Sequence, residues 1–483
     1  MKKEFLKLII ITIIVIPTLA HAEPPTPPGG SGPMAQPGGS SSTVASYSGN
    51  TTISSATTEE NKTYTSTTGG ENALLVTGGT SSLSNPTITK SGDSDGDSAD
   101  FYGTNAAILT YNGATLNITG GTITTNGSHA NGAFSYGTGT INITNTKINT
   151  TGNNSGGVMV TGGGTLNATN LTVKTTGNSS ASIRSDRGGG NLSVNKGTYE
   201  TSGVGSPSIY STANIVVNNA TLISTKSEGI VVEGANSVSL NKVELTDTNN
   251  TLNGNSETYK NIFLYQSMSG DADTGTASFT SKNSKIITNK GDTIFVTNTT
   301  ATINLENNTI TNNDGDFLRI QTGKWGNSGS NGGNVTLKMT NQKIEGDIIV
   351  DSISTLDLTM SDGSVFTGAF DNKHQASKLN VKLSSDSIIS LTADSYISSL
   401  TNEITDNSNI YLNGHKLYVN NKEISANEAT YDGATTKTNT TITTNITNKD
   451  HNYIYYIIAG VLVVSIIVVV ILIIKKRKNK ITQ

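Results

Sequence analysis

Three observations predict an all-β chain wound as a solenoid. The first is a pattern of about 25 residues, written repeatedly. Thr115-Leu-Asn-Ile-Thr-Gly-Gly-Thr-Ile-Thr-Thr-Asn-Gly127 is followed by Thr140-Ile-Asn-Ile-Thr-Asn-Thr-Lys-Ile-Asn-Thr-Thr-Gly152 and by Thr165-Leu-Asn-Ala-Thr-Asn-Leu-Thr-Val-Lys-Thr-Thr-Gly177. A repeat of this length builds stacked units, none of which can bury its apolar face alone. The second is composition: of 483 residues only 5% are aromatic and 14% charged, too few large side chains for ordinary globular cores. A thin column needs only a few branched apolar residues per layer. The third is apolar, polar, apolar alternation at the start of every repeat, the period of a strand with one face inward.

The register marks are Leu116, Ile141, Leu166, Leu192, Ile215 and Val238, with Ile118, Ile143, Ala168, Val194, Val217 and Leu240 two residues on. Ile123, Ile148, Val173, Tyr199, Leu222 and Leu245 mark a second strand in each repeat. Phe134, Val158, Ile183, Ile209 and Val232 are read as inward positions of a third. Three short strands per repeat, with Gly, Asn and Thr at the corners, predict a right-handed parallel β-helix of about eleven coils over 51–400. Asn145, Asn170 and Asn307, with Asn195, Asn218 and Asn241, fall at corners, where Asn tolerates left-handed backbone angles and stacked amides bond along the column.

The flanks follow in order. Residues 1–22 read as a signal peptide, with Lys2, Lys3 and Lys7 before an apolar run and Ala20-His21-Ala22 as the cleavage site. Residues 23–50 are a Pro/Gly/Ser-rich leader, expected to be disordered. Residues 401–427 are expected to form a C-terminal β cap built on a hairpin turning at Asn413-Gly414. Residues 428–452 form a Thr/Asn-rich stalk, 453–474 a transmembrane helix, and 475–483 a basic cytoplasmic tail. No Leu-Pro-x-Thr-Gly motif precedes the apolar run, so a retained membrane anchor is expected rather than cell-wall sorting. The ectodomain then lies outside the cell.

Composition excludes several functions. A net charge of -4, with no basic aromatic-bearing stretch, argues against nucleic acid. The absence of cysteine removes disulfides and thiolate chemistry. His129, His374 and His415 are isolated and read as surface residues.

Function is expected where the repeat is interrupted. Asp93, Asp95, Asp97 and Asp100 could ligate Ca2+ as an oxygen-rich loop, although no glutamate follows at the twelfth position and the flanks do not read as helical. A solvated acidic loop is the plainer alternative. Arg184 and Arg187, two of four arginines, flank Asp186. Their forks suit the carboxylates or sulfates of acidic sugars, and an internal Asp186 salt bridge is the plainer reading. Long insertions at Leu252 to Thr276 and Gln321 to Asn334 carry Tyr265 and the single tryptophan, Trp325. Such rings stack on sugars or pack loops down.

The runs Phe101-Tyr-Gly-Thr-Asn-Ala-Ala107, Asn153-Asn-Ser-Gly-Gly-Val-Met159, Ser180 to Gly190 and Tyr265-Gln-Ser-Met-Ser-Gly-Asp271 resemble those of adhesin-like right-handed β-helix surface proteins of bacteria. The resemblance spans roughly Leu75 to Leu400. It implies the pectate-lyase-like superfold and a surface location, and little about activity, because that superfold hosts many. The leading expectation is an anchored surface protein whose loops bind a glycan or a surface protein of another cell. The alternative is a polysaccharide lyase or glycoside hydrolase acting on an extracellular polysaccharide.

Overall fold

Successive repeats place like residues at like positions, so each new turn offers the previous one an identical strand edge, and parallel pairing follows. The computed structural model describes residues 44, 46–253 and 256–433. They form a right-handed parallel β-solenoid of about 15 turns in a compact unit that ends at Thr430. The marks pair in register from turn to turn, Leu116 with Ile141, then Leu166, Leu192, Ile215, Val238, Phe279, Ile303, Leu337, Leu358 and Val381. Leu83 and Ile88 pair with Ile118 and Ile123 as their spacing implies.

Among the described residues the first face is a 12-stranded sheet running from Gly49–Ile53 to Ile348–Val350. The second and third faces merge into a 22-stranded sheet, because Gly164–Thr175 and Gly190–Thr201 each run across the corner as one 12-residue strand. A four-stranded sheet starting at Lys343–Glu345 continues the third face, and a three-stranded one carries the last turns. Inward Leu, Ile and Val fill one continuous column.

The count exceeds eleven mainly because more turns fit inside the expected 51–400 span, and a last one lies beyond it. A first turn of Gly49–Ile53, Thr58–Glu60 and Thr63–Ser66 precedes the clear repeats. At the other end the expected hairpin at Asn413-Gly414 is a solenoid corner: Ile410–Tyr411 pairs parallel with Ile389 and Ser390, and Leu417–Val419 with Ser395–Ile397. Antiparallel pairing comes one strand later, between Leu417–Val419 and Lys422–Glu423. There Asn420 and Asn421 both take positive φ, the requirement of a tight two-residue turn.

The corner amides also shift by one. The left-handed residue lies four beyond the mark in turn after turn, at Asn145, Asn170, Lys196, Asn219, Lys242, Asn283 and Asn307. Asn195, Asn218 and Asn241 precede it and are not left-handed. Amide ladders do form, with Asn170 Nδ2 donating to Asn145 Oδ1 at 2.7 Å and Asn167 to Asn142 at 2.9 Å.

No helix among the described residues is long and apolar enough to cross a membrane. The segments expected at 1–22 and 453–474 lie outside the described residues, as do most of the leader and stalk and all of the basic tail. Among the described residues one short helix, α1 (Gly96–Tyr102), interrupts the strands, within the acidic insertion whose flanks do not read as helical in the sequence. It ends on left-handed Gly103, where a Cβ would lie 2.9 Å from the Phe134 ring.

Candidate cleft on the first face

The first face differs from the others in what it turns outward. One outward position, followed through the ladder, reads Leu75, Leu109, Phe134, Met159, Arg184, Tyr210, Val231, Phe263, Phe295, Arg319. Phe134 therefore points away from the column, not into it as its spacing suggested; Ala133 is the inward residue, in register with Val158. An apolar stripe of this kind needs a cover. The outward cluster of Leu75, Leu109, Phe134 and Met159 is flanked by Tyr47, Tyr111 and Tyr136, and Thr161 Oγ1 pins the α1 insertion there by donating to Phe101 O at 2.7 Å. Trp325, from the 321–334 insertion, covers Val231, Phe263, Tyr265 and Phe295.

Between the two covers, at Arg184 and Tyr210, the stripe lies open as a cleft of about 320 Å³. Its floor is Tyr210, Val231, Phe263 and Tyr265; Phe101 stands at one end and Trp325 at the other. Phe263 and Tyr265 sit on the strand Lys260–Tyr265 rather than in the insertion, with ring centroids 4.4 Å apart and nearly parallel. Tyr265 meets Trp325 at 5.6 Å. Ser267, Ser269 and Asp271 form a strap along one side, and Asn253 and Ser256 line another.

Polar groups are organised around carboxylates. Glu233 is buried, and its Oε2 accepts from Tyr210 Oη at 2.5 Å and Tyr265 Oη at 2.9 Å, while Oε1 accepts from Ser267 Oγ. Burial beside this carboxylate pushes both phenols well above their ordinary range. Asp186 Oδ2 accepts from Arg184 Nη2 at 2.9 Å, yet burial outweighs the guanidinium and pushes its carboxyl up to about 7. Arg184 Nη1 is buried and makes no protein hydrogen bond. Glu228 accepts from Ser256 and Ser227, each at 2.8 Å, with Lys260 Nζ 3.5 Å away. Burial works against its charge, but Lys260 and those hydroxyls hold its carboxyl below the ordinary range.

Four of the residues singled out in the sequence, Arg184, Asp186, Tyr265 and Trp325, line this one cleft. Arg187 stands beside it as a junction. Its Nε donates to Asp271 at 2.6 Å, its Nη1 to Asp97 at 3.0 Å, and its guanidinium carbon lies 3.9 Å from the centre of the Phe101 ring. Asp93, Asp95, Asp97 and Asp100 are not brought together as a Ca2+ loop would require. Asp93 accepts from Ser128 N at 2.8 Å, Asp100 meets His129 Nδ1 at 2.7 Å, Asp97 binds Arg187, and Asp95 only precedes α1. Among the described residues no three acidic or imidazole side chains converge as metal ligands. His129 is thus a half-buried tie to the insertion rather than an isolated surface residue.

Phe263, one of the rings of the 252–276 stretch, joins Tyr265 on the cleft floor, whereas Tyr210 and Glu233 carry no mark in the sequence. The outward row would have pointed to Tyr210 but is hidden by the one-residue slip at Phe134; Glu233 lies in register with Tyr265, two residues beyond that row. No family model, curated protein or solved structure matches this chain.

Proposed function

We propose that this chain is a cell-surface β-helix protein, exported by residues 1–22 and held by 453–474, that binds a sugar of another cell's surface in the first-face cleft. The observation that carries the reading is convergence. The interruptions at α1, at 248–259, at 266–275 and at 321–334 all contribute to one cleft, whose aromatic floor is edged by carboxylate and hydroxyl acceptors. Sugar rings offer C–H faces to aromatic side chains and hydroxyl donors to carboxylates, and a cleft of this lining answers both. Screening the full chain on a glycan array tests it. Binding is expected, with a loss of about 10-fold or more in Trp325→Ala, a truncation of an aromatic anchor. A blank array would overturn sugar binding and leave a spacer or protein-binding role.

One observation favours the enzymatic alternative. A carboxyl held near neutrality in a cleft, as Asp186 is, has the proton affinity wanted of a general acid in glycoside hydrolysis. Release of oligosaccharides from uronic-acid or neutral polysaccharides, abolished by Asp186→Asn with the fold intact, would establish that reading in place of simple binding.

A further inference from the structure

Resting on the sugar-binding reading of the cleft, we propose that its ligand carries an ammonium group, as an amino sugar with a free amine does, and is neither neutral nor acidic. The arginines that looked suited to a uronate present no accessible fork. Arg184 gives Nη2 to Asp186, and its Nη1, though unpaired, is buried. Arg187 gives Nε and Nη1 to Asp271 and Asp97 and lays its face on Phe101. Lys260 is buried, facing Glu228 and the rings of Phe263 and Phe295. An incoming carboxylate or sulfate finds no free fork.

The negative side is in excess. Around the cleft three cations, Arg184, Arg187 and Lys260, stand against four carboxylates, Asp97, Asp271, Glu228 and Glu233, and the buried carboxyl of Asp186. Asp97 and Asp271 share one guanidinium, and Glu233 takes its hydrogen bonds from three hydroxyls and enters none of the ion pairs among the described residues. A buried carboxylate without a countercharge, in an aromatic-floored cleft, is the environment that a cation relieves, because ring faces and carboxylate both attract it. An ammonium on a sugar frame meets the charge with its amine and the floor with its C–H face. The cavity of about 320 Å³ lies at the small end of ligand sites, which suits one or two rings.

The test is calorimetric titration of the full chain with four probes: the disaccharide of glucosamine with free amines, its N-acetylated counterpart, digalacturonate, and choline. The free-amine disaccharide is expected to bind about tenfold or more tighter than the N-acetylated one, with a preference that shrinks as salt rises from about 50 to about 500 mM. Glu233→Gln should erase the preference while weak binding of the N-acetylated sugar persists. Should that variant melt early, the salt dependence of the wild-type preference decides. Equal or tighter binding of the N-acetylated or uronate probe overturns the ammonium inference and leaves sugar binding standing. Choline binding as tightly as the amino sugar supports the ammonium and overturns the sugar frame. Silence from all four overturns both readings.

Discussion

Asp247 occupies a buried corner position that the turns on either side give to hydroxyls, Ser224 and Thr288 in register with it. One carboxylate oxygen accepts from Asn249 N at 2.7 Å and the other has no partner. Burial pushes this carboxyl up to about 8. The unfolded chain loses the same proton near the ordinary value of about 4, so between roughly pH 4 and 8 the folded state binds more protons and stability falls as pH rises. Asp186, pushed up to about 7, adds a contribution of the same sign over a narrower window. Asp247→Asn keeps the acceptor and removes the titration. It is expected to raise Tm by about 4 °C or more near pH 9 and to leave it within about 1 °C near pH 4. A shift of equal size at both pH values in thermal melts would mean that packing, not ionisation, is at work. The left-handed corners are the other residue-scale feature. Asn accepts them readily, whereas Lys196 and Lys242 hold φ of 66° and 56° without the side-chain carbonyl that helps Asn there.

At the scale of the element, the turn is defined by how closely one corner stacks on the next. Gly127, Gly152, Gly177 and Gly203 fall in a column where each backbone passes over the carbonyl of the turn before, and a Cβ at Gly177 would lie 1.8 Å from Gly152 O. Substitution must push two turns apart or break their hydrogen bonds. Gly177→Ala is expected to cost about 2–4 kcal/mol, read as a lower urea midpoint at unchanged slope. A loss under about 0.5 kcal/mol would show that the corner can relax. Strand register explains what the sequence disclosed at this scale. On the second and third faces alternation with polar Asn and Thr made inward residues legible. On the first face both sides are apolar, as in Ile262-Phe263-Leu264-Tyr265, so alternation carries no signal and a one-residue slip exchanges core and surface.

At the scale of the molecule, the turns are a frame and the interruptions are what the frame positions. Arg187 joins three of them, the α1 insertion through Asp97, the 184–190 corner on which it sits, and the 266–275 strap through Asp271. Arg187→Ala is expected to loosen the strap by about 1–3 kcal/mol, seen as faster amide exchange over 266–275, with global Tm within about 2 °C because the column is untouched. Unchanged exchange would show that contacts such as the Ser267 hydroxyl to Glu233 hold the strap without Arg187. Sequence alone determined the solenoid, its parallel register and the inward residues of its second and third faces, because each is dictated by short-range periodicity repeated turn after turn. It also marked Arg184, Asp186, Arg187, Tyr265 and Trp325 as departures from that periodicity. Only the tertiary structure decided that four of them share a cleft, that the Asp93 to Asp100 run scatters to separate partners, and that Glu233 accepts from both Tyr210 and Tyr265. Residues 90 positions apart, such as Asp97 and Arg187, meet because insertions from different turns fold onto one face, and no local pattern encodes which insertion reaches which neighbour.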